Sequence, residues 1–222
     1  MFNSLKLCAA LLLWLDILPA TALLATTPEA DELVKQIEST YVHLQDLQMN
    51  FKKEMESEIF KEVKPIKGVI YLKQPDKFRM ESSEEIIVSD GQVVWTYTKE
   101  LQQVTKQKVR SGQEFNFLSF LEDMQVKYEA ELLGAEKVQG AECKKMLLTP
   151  RERGTDFEKL TLWVDGKSYL IRKMELQDLT GNKTLFWFTD IKINPGLPKS
   201  RFEFKPPGKV ELIDLTGQIQ DG

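Results

Sequence analysis

Histidine is almost missing from this chain: His43 is the only one in 222 residues, and cysteine occurs twice, as Cys8 and Cys143. A histidine metal cluster and a Ser-His-Asp triad both need more than that, so no metal, no cofactor and no enzymatic activity is expected. No Gly-rich phosphate loop is present either; "SDGQ" at 89–92 reads as a turn. Basic excess is lacking too. The net charge of −4 gives no electrostatic reason to bind nucleic acid.

Beyond the N-terminus there is no apolar run long enough to span a bilayer. The first residues, "MFNSLKLCAALLLWLDILPATALLA", combine Lys6, an apolar stretch and the small-residue site Ala20-Thr21-Ala22. This reads as a secretory signal over residues 1–22, with cleavage after Ala22 as first choice and after Ala25 as second. A single soluble domain is then expected over 23–222. Its one remaining thiol, Cys143, cannot form an intramolecular disulfide even in an oxidising compartment. A buried, inert thiol is the expectation, because no activating base accompanies it.

What is present is alternation. In "LQMNFKKEMESEIF", Leu47, Met49, Phe51, Met55 and Ile59 share one parity, and polar residues hold the other. Period two over that length is one long strand, and a strand of more than about 40 Å suits a curved sheet. The same pattern returns in Ile66/Gly68/Ile70/Leu72, Phe78/Met80, Ile86/Val88, Val93/Trp95/Tyr97, Val126/Tyr128/Ala130/Leu132, Leu160/Leu162/Val164, Leu170/Met174/Leu176 and Leu185/Trp187/Ile191/Ile193. Gln74-Pro75-Asp76, Asp90-Gly91, Asp165-Gly166 and Gly181-Asn182 supply turns between them. The fold class that follows is mainly β, an antiparallel meander curved into an open half-barrel.

Two segments break the alternation. From Pro28 to about Gln45, Leu33, Val34, Ile37, Tyr41 and Leu44 fall on one helical stripe, with Thr27 as cap and Pro28 at the first helical position. "SGQEFNFLSFLEDM" at 111–124 offers a second amphipathic helix through Phe115, Leu118 and Leu121. Each helix reads either as a cap on a packed core or as a movable lid. The tail from about Asp214 is expected to fray.

The apolar face is rich in adaptable side chains: Met49, Phe51, Met55, Phe78, Met80, Trp95, Tyr97 and Trp187, with Ile70, Leu72 and Leu185 beside them. It either fills itself or leaves a cavity for acyl chains.

The sequence "G-x-I-Y-L-K-Q-P-D-K-F-R-M-E", then "V-S-D-G-Q-V-V-W-T-Y", the inserted helix, "L-L-T-P" and a closing "F-E-F-K-P-P" resemble the periplasmic lipoprotein carrier family typified by LolA, from about Asp31 to Asp214. That resemblance implies an open β-barrel with a helical lid. The residues of the preceding paragraph would line an acyl cavity, and Leu33, Ile37, Tyr41, Phe115, Leu118 and Leu121 would form the lid. It also implies a monomeric shuttle in the periplasm. Such a shuttle takes acylated lipoproteins from an inner-membrane ABC transporter (LolCDE-like) to an outer-membrane receptor (LolB-like). Many family members carry a basic residue just before the turn proline, where this chain has Gln74, and Arg79 is not an aligned replacement. A lipid-sensing domain of an envelope stress regulator, similar to RseB, shares the fold and is the competing reading.

Overall fold

A computed structural model describes residues 28–56, 65–109, 121, 123–152, 154–155 and 157–217. The expected signal at 1–22, the cap Thr27, Ile59 and the lid residues Phe115 and Leu118 lie outside these. One helix leads, α1 (Pro28–Val42), followed by β1 (Asp46–Glu56), β2 (Ile66–Lys73), β3 (Lys77–Ser82), β4 (Glu85–Ser89), β5 (Val93–Thr98) and β6 (Gln103–Lys108). A one-turn helix α2 (Met124–Lys127) precedes β7 (Tyr128–Val138), β8 (Ala141–Pro150), β9 (Phe157–Asp165), β10 (Ile171–Asp178), β11 (Lys183–Ile193) and β12 (Glu211–Asp214). Val126, read as strand, thus sits in α2.

All twelve strands belong to one open, curved sheet in the order β12-β6-β5-β4-β3-β2-β1-β11-β10-β9-β8-β7. Two meanders, β1–β6 and β7–β11, are joined where β1 pairs antiparallel with β11. The turn signals fall between strands as expected. Asp165 closes the β9–β10 turn by accepting from the amides of Lys167 and Ser168, each at 3.0 Å. Asp90 does the same for Gln92 and Val93 at 2.8 and 2.9 Å. Short carboxylates that bond the backbone two and three residues on are the physical reason Asp favours these positions.

Directly paired residues point to the same side of a sheet, so register sorts the faces. Phe51 pairs with Gly68 and Phe188; Met49 with Ile70; Leu47 with Leu72; Leu72 with Phe78; Met80 with Ile87. Continuing round, Met174 pairs with Phe186 and Leu162, and Met146 with Leu162 and Leu132. These residues form the concave wall, and most of them are buried in one apolar core. Gly68 is required here: a Cβ on it would lie 2.6 Å from the Phe51 ring, against the backbone of Glu81 on the other side.

The last described strand ends at Asp214, where the tail is expected to begin fraying. After β11 the chain crosses the convex face, where Phe202 is buried and Phe204 stacks on Trp95 with ring centroids 6.4 Å apart. Arg201 lies over the Tyr71 ring at 4.7 Å, and the Arg79 guanidinium donates to its carbonyl at 3.2 Å. The chain then adds β12 parallel to β6, with Lys106 Nζ 3.1 Å from Asp214 Oδ2. The crossing is anchored at its root by Asp46, which accepts from the amides of Gly196 and Leu197 at 3.0 and 2.9 Å and from Lys73 Nζ at 3.0 Å. Burial pushes the Asp46 carboxyl up, and those donors outweigh it, leaving it below the usual carboxylate range.

Candidate functional site: the concave wall and its helix

The amphipathic stripe read from the sequence is the buried side of α1: Ala30, Leu33, Val34, Ile37 and Tyr41 are all within 3 % of full burial. They join the same apolar cluster as Met49, Phe51, Ile70, Leu72 and Phe78. The wall expected to line a cavity is therefore covered in this structure by helix α1. Leu121 and Met124 are buried at the margin of that cluster, and Gln125 Nε2 reaches the carbonyl of Asp31 at 3.5 Å.

Among the described residues, polar contacts at Tyr41 and Glu29 tie α1 to the sheet. The Ile171 amide donates to the Tyr41 hydroxyl at 3.1 Å, and Lys144 Nζ meets Glu29 Oε1 at 3.1 Å where both side chains are exposed. Burial drives the Tyr41 phenol up to about 12, so it stays a neutral hydroxyl across the physiological range. An exposed ion pair such as Glu29–Lys144 contributes at most about 1 kcal/mol. Apolar burial holds the helix. Burial of that kind is non-directional, so any apolar chain of similar shape can replace it.

The parity expectation fails at defined places. Trp95, Tyr97 and their neighbours Ile86 and Val88 pair with one another and with Arg79 and Glu81, on the convex side. Leu185 and Trp187 pair with Glu54 and Lys52, also convex. None of Trp95, Tyr97, Leu185 and Trp187 lines the wall. On β11 the cause is a bulge: the register with β1 slips between Gln48 and Asn50, opposite Asp190, whose φ is 49°. An extra residue reverses the alternation, so Ile191 and Ile193 face inward although Leu185 and Trp187 face outward. On β4 and β5 the cause is the tail, whose Phe202 and Phe204 supply an apolar cover on the convex side. Met80 faces inward, half-buried, and Met55 has inward parity near the strand end but is 43 % exposed.

Lysine ammonium groups lie over two of the outward tryptophans. Trp187 lies under Lys52 Nζ at 4.1 Å and Lys173 Nζ at 5.6 Å; Trp163 lies under Lys173 at 3.9 Å and Lys145 at 4.9 Å. The Trp163 indole donates to Glu136 at 2.7 Å. Ammonium groups over indole faces contribute about 0.5–1 kcal/mol each at such sites.

The remaining sequence candidates have structural roles. His43 is exposed and its Nδ1 lies 2.6 Å from the Ser39 carbonyl. Cys143 is buried and its thiol is pushed up by that burial and by Asp165, as an inert cysteine should be. Gln74, preceding a cis proline, is exposed; it borders a small cleft beside Tyr41, Leu44, Leu47 and Leu72 at the barrel end. Its side chain makes no hydrogen bond among the described residues. Arg79 points to the convex side, paired with Glu81. Among the described residues no group of three potential metal ligands comes together.

A strongly curved antiparallel half-barrel folded round one amphipathic helix, with its apolar wall inward, defines the class. Residues 43–205 match the family described as outer membrane lipoprotein carrier protein LolA, and the chain belongs to that family. An outer-membrane lipoprotein carrier protein of Alkalilimnicola ehrlichii is 30% identical, over 94% of this chain and 93% of that one. An uncharacterized protein of Methanocaldococcus jannaschii is 25% identical over 83% of this chain; the match spans 53% of its length, so the chain accounts for about half of that relative. Among solved structures, an uncharacterized conserved protein of Thermus thermophilus superposes with a TM-score of 0.57 at 14% identity, over 84% of this chain and 99% of that one. That likeness is one of fold.

Proposed function

We propose that this protein is a periplasmic carrier that shelters the acyl chains of lipoproteins against its concave wall, with α1 as the element they displace. The observation behind this reading is the way α1 is held: its apolar stripe lies on the apolar wall and shares one core with it. Each methylene removed from water contributes about 0.8 kcal/mol, so one long acyl chain gains on the order of 10 kcal/mol. Displacing α1 exposes the wall first, and that cost sets the net affinity at an intermediate value. Cargo can then be taken up and also surrendered. The chain acts without covalent chemistry, receives cargo from a LolCDE-like ABC transporter and passes it to a LolB-like receptor.

Incubating the purified mature protein with spheroplasts should bring acylated lipoproteins into the soluble fraction, bound to it. A second arm locks the helix. Glu29→Cys/Lys144→Cys in a Cys143→Ala background, joined by a short bis-maleimide, should fold normally and release none. Undiminished release by the locked protein would remove α1 from the mechanism, and no release by the wild type would remove the carrier function.

A further inference from the structure

Strands β5 and β6 are built inside out. On β1–β3 the concave positions are mostly apolar, but here Thr96 pairs with Thr105, Val94 with Gln107 and Thr98 with Gln103, all of concave parity. The apolar residues of the same strands, Trp95, Tyr97 and Val104, have the opposite parity, and Trp95 packs against Phe204 of the tail. The polar strip directly adjoins the apolar core, because Val94 and Ile87 belong to both surfaces.

These polar groups are half-buried, with some contact to solvent. Thr96, Thr98, Thr105 and Gln107 make no side-chain hydrogen bond among the described residues, although each is partly shielded from solvent. The serines of the same face behave differently. Ser82 Oγ accepts from the amides of Glu84 and Glu85, and Ser89 Oγ from that of Gly91. A shielded hydroxyl beside apolar surface costs stability unless something bonds to it. Three threonine hydroxyls and an amide, aligned across two strands, form a row of donors whose acceptors can be water or a ligand.

Charge narrows the acceptor. The concave positions of β3–β6 carry no lysine or arginine, and the one charged side chain there is Glu85. A phosphate would find no counter-charge and one repulsive neighbour. An uncharged ester has carbonyl oxygens that accept from hydroxyls and needs no cation.

We propose that Thr96, Thr98, Thr105 and Gln107 form a polar subsite for the uncharged glyceryl-ester head of a diacylated ligand, its chains running beneath α1. This rests on the reading of the concave wall as an acyl site and adds where the head lies and what chemistry it has.

The test is competition against the apolar dye N-phenyl-1-naphthylamine, which carries no ester. Dioctanoylglycerol should displace it from the wild type about tenfold more strongly than the dialkyl ether analogue, which lacks the carbonyls. Phosphatidic acid of the same chain length should gain nothing over the diester. In Thr96→Val/Thr105→Val the preference for ester over ether should vanish, and Thr96→Ser/Thr105→Ser should restore it. Equal displacement by ester and ether in the wild type overturns the subsite whether or not the valine variant folds. So does a preference for the phosphate. Failure of the dye and of every lipid to bind would overturn the carrier reading itself, and the subsite with it.

Discussion

The indole of Trp95 stacks on the ring of Phe204, their planes 20° apart, on the side of the sheet opposite the helix. The tail is therefore a second cover, and its two phenylalanines stabilise the outside of the half-barrel. Phe202 is almost wholly buried. Phe202→Ala should lower stability by about 3–5 kcal/mol in urea unfolding, leaving dye affinity of the folded fraction unchanged. A specific loss of binding with normal stability would place this ring in the site instead.

Tryptophan position gives an optical check on the two faces. Trp95, Trp163 and Trp187 all point away from α1. Bromine-labelled acyl chains should quench the wild-type fluorescence weakly, and should quench Phe78→Trp strongly, because residue 78 lies on the concave wall. Strong quenching of the wild type would mean that lipid sits on the lysine–tryptophan side.

By accepting from the Ile171 amide, the hydroxyl of Tyr41 ties the C-terminal end of α1 to the start of β10. Tyr41→Phe strands that amide in an apolar setting, at a cost of about 1–3 kcal/mol. Hydrogen exchange over α1 should speed up, and the on-rate for the dye should rise with it. Unchanged exchange would show that this bond does not restrain the helix.

Gly68 has no room for a methyl group. Gly68→Ala should destabilise by about 1–3 kcal/mol or more. Shortening the facing ring, in Gly68→Ala/Phe51→Leu, should not rescue it, since the Glu81 carbonyl also blocks the new Cβ. Full recovery in the double variant would show that the ring alone sets the limit.

Acid sensitivity follows from Asp165. Burial raises its carboxyl, but the Ser168 and Lys167 amides and the Arg172 guanidinium, at 2.9 and 3.0 Å, hold it at about 2. Its folded pKa lies below that of the unfolded chain, so the stabilisation is complete above about pH 4 and is lost as pH falls through about 2. The gap between wild type and Asp165→Asn should be about 2 kcal/mol near pH 6 and should close toward pH 2. Asp46, also depressed, adds to the same slope. A gap independent of pH would mean the carboxylate's charge is not what stabilises the turn.

The helix α1 and most of the strands and turns, though not β6 or β12, were legible because each is a local pattern: the 28–42 stripe needs period 3.6, and Asp90-Gly91 needs only its own carboxylate. Which side of the sheet a strand turns inward is not local. Trp95 and Tyr97 announce a shared face, but only Phe204, far along the chain, makes that face the outer one. The bulge at Asp190 is likewise silent, since Leu185, Trp187, Ile191 and Ile193 look like a single alternating series. The inward threonines of β5 and β6 do carry a local signal: polar residues at alternate positions can face a ligand as readily as they face water.

By lying alongside β6, the last described strand makes one border of the sheet a short edge of four residues. The opposite border, β7, has no neighbour beyond β8 among the described strands and is mostly solvent-accessible. The eleven residues of β7 offer another polypeptide a longer edge for strand addition than the four of β12.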